Sequence, residues 1–188
     1  MNIINWDDLI KGDPWTEGSA VTIGVFDGVH RGHKALIDRI TSSPYRSVAV
    51  TFRVSPRQFF HSGSYQGDII GLKRKLELFA EAGLDDCVLI DFSEDFSRIT
   101  GRAFIRRLSR AVNMRHIVLG SDFHCGYRND TDAAAIKQLA APAGITVEVL
   151  PPVMEGGLPV SSSRIRHALA SGEYGLAASL LGRGIECL

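Results

Sequence analysis

Two short stretches hold the residues whose types and spacing could do chemistry. Residues 24–33 read GVFDGVHRGH and set His30 and His33 three positions apart around Gly32. At that spacing both imidazoles lie on one side of a first helical turn. The free N–H groups and the dipole of a helix N-terminus draw anions there. Gly28 and Gly32 let the backbone turn tightly and let a ligand come close. Gly32 also leaves no side chain between the imidazoles to crowd a phosphate. The same dipole opposes protonating the rings, so their charge state stays open at this point. The second stretch, SSSRIR at 161–166, puts hydroxyls and guanidinium groups at another helix start. Arg164 and Arg166 are two apart and diverge by about 200° on a helix, so only one can face inward. Neither a Walker A pattern nor Gly-x-Gly-x-x-Gly occurs, which removes the main support for P-loop kinase or dinucleotide dehydrogenase readings.

These stretches need elements to hold them. Five β-branched runs read as strands: AVTIGVF (20–26), SVAVTF (47–52), CVLIDF (87–92), HIVLG (116–120) and ITVEVL (145–150). Each is almost continuously apolar, as strands covered on both faces are. Helical patterns fill the gaps near 32–42, 72–83, 101–112 and 132–141, with Gly83 and Gly144 placed as C-caps. Two more helices follow near 162–171 and 173–181, separated by Ser-Gly-Glu. The alternation implies right-handed crossovers and an α/β fold: a Rossmann-like open parallel five-stranded sheet with helices on both faces. Segment 53–71 is the longest irregular stretch, of the length that tends to carry function. Ligands of such sheets bind beyond the carboxyl ends of the strands. There the pattern places DGVHRGH, RVSPRQFFHSGS, SDFHCGYRND and PPVMEGGLPVSSSRIR. His61, His116 and His124 show no metal-ligand spacing and read as ordinary loop residues.

Composition sets the bounds. The chain has 188 residues, 45% hydrophobic and 22% charged, which suits one domain with a full core. Its 21 basic and 21 acidic residues give zero formal charge, so neither nucleic acid nor an anionic membrane is called for. Cys87, Cys125 and Cys187 lie far apart without redox or metal spacing, which points to a reduced, cytosolic compartment. The start, MNIINWDDLIKGDPW, lacks the basic and apolar regions of a secretion signal, and no apolar run has membrane-spanning length. No obligate protein partner is indicated.

TIGVFDGVHRGH resembles the first motif of bacterial FAD synthetases, the FMN adenylyltransferase module of the bifunctional flavokinase/FAD synthetase, and more loosely the wider nucleotidylyltransferase superfamily. SSSRIR resembles that family's Ser-Ser-Thr-x-Ile-Arg, and VLGSDFHCG its Gly-x-(Asp/Asn)-Phe-x-Phe-Gly segment. LKRKLELFAEAGLDDCVLIDFSEDFSRITGRAFI and ALASGEYGLAASLLGR follow it too, so the likeness runs in order over about residues 19–183. The resemblance implies adenylyl transfer from ATP to FMN, giving FAD and pyrophosphate, with Mg²⁺ bridging phosphates and no dedicated protein metal site. It implies His30, His33 and Arg166 as catalytic groups, and Gly24, Phe26, Asp27, Gly28, Gly32, Ser162 and Ser163 around ATP. Phe52, Arg53, Pro56, Asp122 and Phe123 would meet the flavin or other acceptor. Asp122 reads equally as the cap of a turn; for Asp27, orienting the His-x-Gly-His turn or aiding metal binding are alternatives to the stronger reading of a plain turn residue.

The sequence departs from the family pattern in two places. The family's Thr-Phe-(Asp/Glu)-Pro-x-Pro is here TFRVSP, with Arg53 in place of the acid and Val54 in place of the first proline; Cys125 stands where the family has Phe. The family's riboflavin kinase barrel would follow LLGR, whereas this sequence ends five residues later. Residues 1–188 are therefore expected to form a single nucleotidylyltransferase domain without the kinase. Two alternatives remain open: transfer to another phosphorylated acceptor, and a nucleotide- or flavin-binding module without catalysis.

Overall fold

All five β-branched runs become strands of one parallel sheet. The computed structural model describes residues 1–60, 63, 65 and 67–185. Its strands are β1 (Asn2–Asn5), β2 (Ser19–Ile23), β3 (Arg46–Phe52), β4 (Asp86–Ile90), β5 (Met114–Gly120) and β6 (Thr146–Leu150), in the order β1-β4-β3-β2-β5-β6. The expected five-stranded sheet is thus six-stranded. The additional β1 escapes the apolar pattern because it is two isoleucines between asparagines and mostly exposed at an edge. Backbone pairing with β4 holds it, together with a bond from the Asn2 amide to Asp86.

The strand residues sort by parity. Val21, Ile23, Val48, Val50, Val88, Ile90, Ile117 and Leu119 face one apolar layer. That layer is closed by α1 (Trp6–Lys11), α6 (Gly101–Ala111) and α7 (Ala133–Ala140). Ala20, Ala49, Cys87, Leu89 and Val118 face the other layer, under α2 (Arg31–Thr41) and α4 (Leu72–Glu81). Burial on both faces explains the unbroken apolar runs. A third, smaller apolar cluster of Val160, Ile165, Leu180 and Leu181 joins α8 (Ser162–Ala170) to α9 (Tyr174–Leu181).

Three local features differ from the sequence reading. The first run ends as a strand at Ile23, not Phe26, because the chain turns sharply from Gly24 onward. Segment 53–71 is not wholly irregular, since α3 (Pro56–Phe60) opens there on a proline; outside it, the short α5 (Glu94–Ser97) follows β4. His116 lies on β5, buried, its Nε2 3.1 Å from Glu148 Oε2. Glu148 in turn receives the Arg39 side chain of α2. His116 is therefore a core-edge residue and not a loop residue. His61 and Cys187 lie outside the described residues.

From β2 the sheet grows through β3 to β4; the chain then crosses back and lays β5 on the opposite side of β2. This reversal opens a crevice at the carboxyl ends of β2 and β5.

Candidate active site

The turn leaving β2 is strained and held from several sides. Phe26 and Val29 have φ of 52° and 40°, a left-handed conformation that a β-branched valine seldom adopts. Gly28, at φ 80°, takes the same region without cost. Such strain persists only where surroundings over-determine it, and here they do. The Val25 carbonyl accepts from Lys75 Nζ at 2.9 Å and from Thr51 Oγ1 at 3.1 Å. The Asp27 carbonyl accepts from Ser162 Oγ at 2.9 Å. Arg183 donates to the Gly28 carbonyl at 2.6 Å and the Val29 carbonyl at 3.0 Å. The Asp27 carboxylate receives Ile69 N–H at 2.7 Å and the Arg166 guanidinium. Burial raises the Asp27 pKa, opposed by that N–H and by Arg166.

His30 is the N-cap of α2. Its Nδ1 accepts the His33 backbone N–H at 3.3 Å, which leaves the ring proton on Nε2. The two imidazoles stack, with ring centroids 3.6 Å apart. A Cβ on Gly32 would sit 3.2 Å from the His30 ring, so only glycine leaves that stack undisturbed. Burial pulls His30 down to about 4, opposed by the Asp122 charge. His33 lies well below its ordinary value, through burial first and then the neighbouring His30 and Lys75. Both rings are thus neutral near pH 7, which settles the charge question left by the sequence. His33 Nδ1 is buried without a hydrogen-bond partner.

The start of α8 adjoins this turn. Beyond the Ser162 and Arg166 bonds to Asp27, the Val160 carbonyl lies 3.8 Å from where a Gly32 Cβ would stand. The N-cap of α8 is Ser161, whose hydroxyl accepts Arg164 N–H at 3.3 Å. Capping therefore falls to Ser161, which leaves Ser162 facing Asp27 and Ser163 exposed in the first turn. Arg164 and Arg166 diverge as their spacing requires. Arg164 binds the Glu155 and Leu158 carbonyls of a short antiparallel ribbon, and Arg166 reaches Asp27.

Outward from His33 runs a cleft of about 860 Å³, within the usual range of small-molecule sites. Gly24, Phe26, Phe52, Pro56, Asp122 and Phe123 line it, as do Phe60, Phe92, Phe96 and Phe104. The aromatic rings meet mostly edge to face, as at Phe52–Phe92 (5.7 Å) and Phe60–Phe92 (5.5 Å). Asp122 sits in a turn closed by Phe123 N–H to the Gly120 carbonyl, while its own carbonyl lies 2.9 Å from His124 Nδ1. Arg53 is not part of the lining: its guanidinium binds Asp91 at 2.8 Å and Asn5 at 2.7 Å. Arg57 and Arg128 are the basic residues in the wall. Ser162, Ser163 and Arg166 lie beyond the cleft, on the Asp27 side of the turn. Among the described residues, no group of three His, Cys, Asp or Glu side chains is arranged to hold a metal ion.

Sequence reading missed Lys75, Arg183 and Arg57. Lys75 falls on the inner face of α4, a position its helical period marks for burial, but lysine is normally read as solvated. Arg183 stands just after α9 in the LLGR segment, with no local pattern to say what it touches.

Residues 13–164 match the family described as FAD synthetase. The Pseudomonas fluorescens bifunctional riboflavin kinase/FMN adenylyltransferase is 33% identical over 175 residues, covering 90% of this chain and 56% of the relative. The chain thus spans little more than half the length of that relative. A Streptococcus pneumoniae structure described as a macrolide-efflux protein has a TM-score of 0.84 at 26% identity, covering 98% of this chain and 72% of that one. The Francisella tularensis pantoate-beta-alanine ligase has a TM-score of 0.60 at 18% identity, covering 88% of this chain and 73% of that one, and so shares the fold. No helix among the described residues is long and apolar enough to cross a membrane.

Proposed function

The chain belongs to the FAD synthetase family, and from that premise we propose that it is an FMN adenylyltransferase. An oxygen of the FMN phosphate attacks the α-phosphorus of ATP in line, the bond from that phosphorus to the β-phosphate bridging oxygen breaks, and pyrophosphate leaves. The protein forms no covalent bond; it positions the reactants and stabilises charge. His30 and His33, neutral and stacked, donate to the ATP phosphates over Gly24, Phe26, Gly28 and Gly32. Ser162, Ser163 and Arg166 hold the β- and γ-phosphates, with Arg166 turning from Asp27 to the incoming oxygens. The aromatic cleft takes the flavin ring against Phe52, Pro56 and Phe123, and Asp122 and Arg57 meet its polar groups. Arg53, engaged by Asp91, stands outside this assignment.

Mg²⁺ enters with ATP as part of the substrate. The described carboxylates offer it no cage, and Asp27 is already engaged by Ile69 and Arg166. Of the two activities in the relatives' names, only adenylyl transfer is assigned to this domain, with small molecules as its partners and the cytoplasm as its place of action.

The observation that carries the proposal is the sharing of Asp27: one residue of the α2 turn receives both the hydroxyl and the guanidinium of the α8 start. Two anion-seeking helix starts are thereby joined at one point. The test is pyrophosphate release by the purified protein with ATP and a panel of phosphorylated acceptors. One pyrophosphate and one FAD per FMN consumed is the expected result. Silence with FMN but release with another acceptor overturns the flavin assignment. ATP binding by calorimetry, with no turnover for any acceptor, overturns the enzyme assignment.

A further inference from the structure

Lys75 is 4% exposed, at the centre of the inner face of α4. Its ammonium bonds the Val25 carbonyl, one residue before the strained Phe26. One helical turn on, the Phe79 ring meets Phe26 edge-on at 5.4 Å, and Phe26 meets the His33 ring at 5.1 Å. α4 therefore supports the turn at two points, and the second passes directly to His33. Packing alone does not ask for a lysine here. A methionine fills nearly the same volume and avoids burying a charge. The Val25 carbonyl would still keep its bond from Thr51.

We propose that Lys75 is a positioning residue for the adenylyl transfer assigned above: its buried ammonium fixes the 24–29 turn and so sets how His33 meets the triphosphate. This inference rests on that functional reading. Two consequences follow from the geometry. The first is steric: a turn held open at Phe26 and Val29 relaxes if its Val25 anchor is weakened, and His33 moves with it. The second is electrostatic. The carboxylates of Asp27 and Asp68 face Lys75 and offset the burial that lowers its pKa. Cys87 faces it as well, but burial pushes that thiol up to about 12, so it adds no charge near neutrality. His33 is faced by His30 and Lys75, and both oppose its protonation. The ammonium adds to burial, the larger cause, in keeping His33 a neutral donor.

The test is Lys75→Met, read in two ways. In steady-state kinetics, kcat for pyrophosphate release should fall about ten- to a hundredfold, the scale of a small misplacement of reacting groups, with KM for FMN little changed. In the free protein, NMR of the His33 imidazole should show it titrating well below the ordinary histidine range in wild type and shifted upward in the variant. Lys75→Arg, which retains the charge, should leave the His33 titration close to that of wild type. Wild-type kcat together with an unmoved His33 titration in Lys75→Met overturns the proposal. Should that variant fail to fold, Lys75→Gln, which is uncharged but polar, takes its place under the same two readings, and wild-type kcat with an unmoved His33 titration there overturns the proposal equally. The imidazole measurement needs no acceptor. Failure of FMN as substrate therefore sinks the functional reading and leaves this readout standing.

Discussion

His30 and His33 give up the charge that histidine readily takes in water. Burial is the cause in both, and the result is a pair of donors that need no proton exchange before they meet a phosphate. Removing one donor from developing charge usually costs about 10²- to 10³-fold in rate. His33→Ala is therefore expected to lower kcat by about 10²-fold or more in the pyrophosphate assay, with the fold unchanged by circular dichroism. The same burial makes stability depend on pH. An unfolded chain binds a proton at each histidine near 6.5, while the folded state refuses it, so stability rises with pH across that window. The His30 contribution is complete above about 6.5 and is lost as pH falls toward about 4, a total of about 3 kcal/mol. His33 extends the loss to lower pH. Urea midpoints taken from pH 7 to 4.5 should fall steadily, and His30→Asn, which keeps a capping side chain, should flatten that slope. Much of this was legible beforehand, because His-x-Gly-His is contiguous and its chemistry is local. Lys75, Thr51 and Arg183 were not given roles: each reaches the turn from a distant part of the chain, and no spacing rule links them to it.

Among the elements, periodicity revealed those that are long and buried on one stripe or on both faces. β2 to β6 and the helices of eight residues or more fall within a few residues of their expected bounds. β1, α1, α3 and α5 were missed because runs of four to six residues carry too few apolar positions to show a period. The loop after β5 shows what such short elements can fix. Arg128 and Asn129 both have left-handed φ, at 56° and 57°. Asp130 ties the loop to the start of α6 by accepting Gly101 N–H at 2.8 Å. Gly126 packs so closely that a Cβ there would come within 2.0 Å of Gly101 N, at a φ of +85°. Gly126→Ala should cost at least ~2 kcal/mol from the left-handed backbone and overpacking together. A lowered urea midpoint and weaker flavin binding are the expected readings, since this loop carries Arg128 into the cleft wall. A variant as stable as wild type would show that the loop is not tied to α6 in solution.

At the scale of the molecule, the α8–α9 pair meets the rest of the fold at the histidine turn, at Ile69 and along Arg31 of α2. A ligand gripping both sides should stabilise the whole chain by mass action. ATP at about 100 times its dissociation constant is worth ~2.7 kcal/mol, visible as a raised Tm. Hydrogen exchange should then slow at the first turns of both α2 and α8. Protection at α2 alone would mean that α8 takes no part in holding the nucleotide.

The Arg183 clamp adds a constraint in time. It closes on carbonyls 154 and 155 residues earlier in the chain. During synthesis those two carbonyls stay without their guanidinium until Arg183 has emerged, long after the histidine turn itself. A polypeptide cut before Arg183 would carry His30 and His33 and still lack the guanidinium that closes their turn.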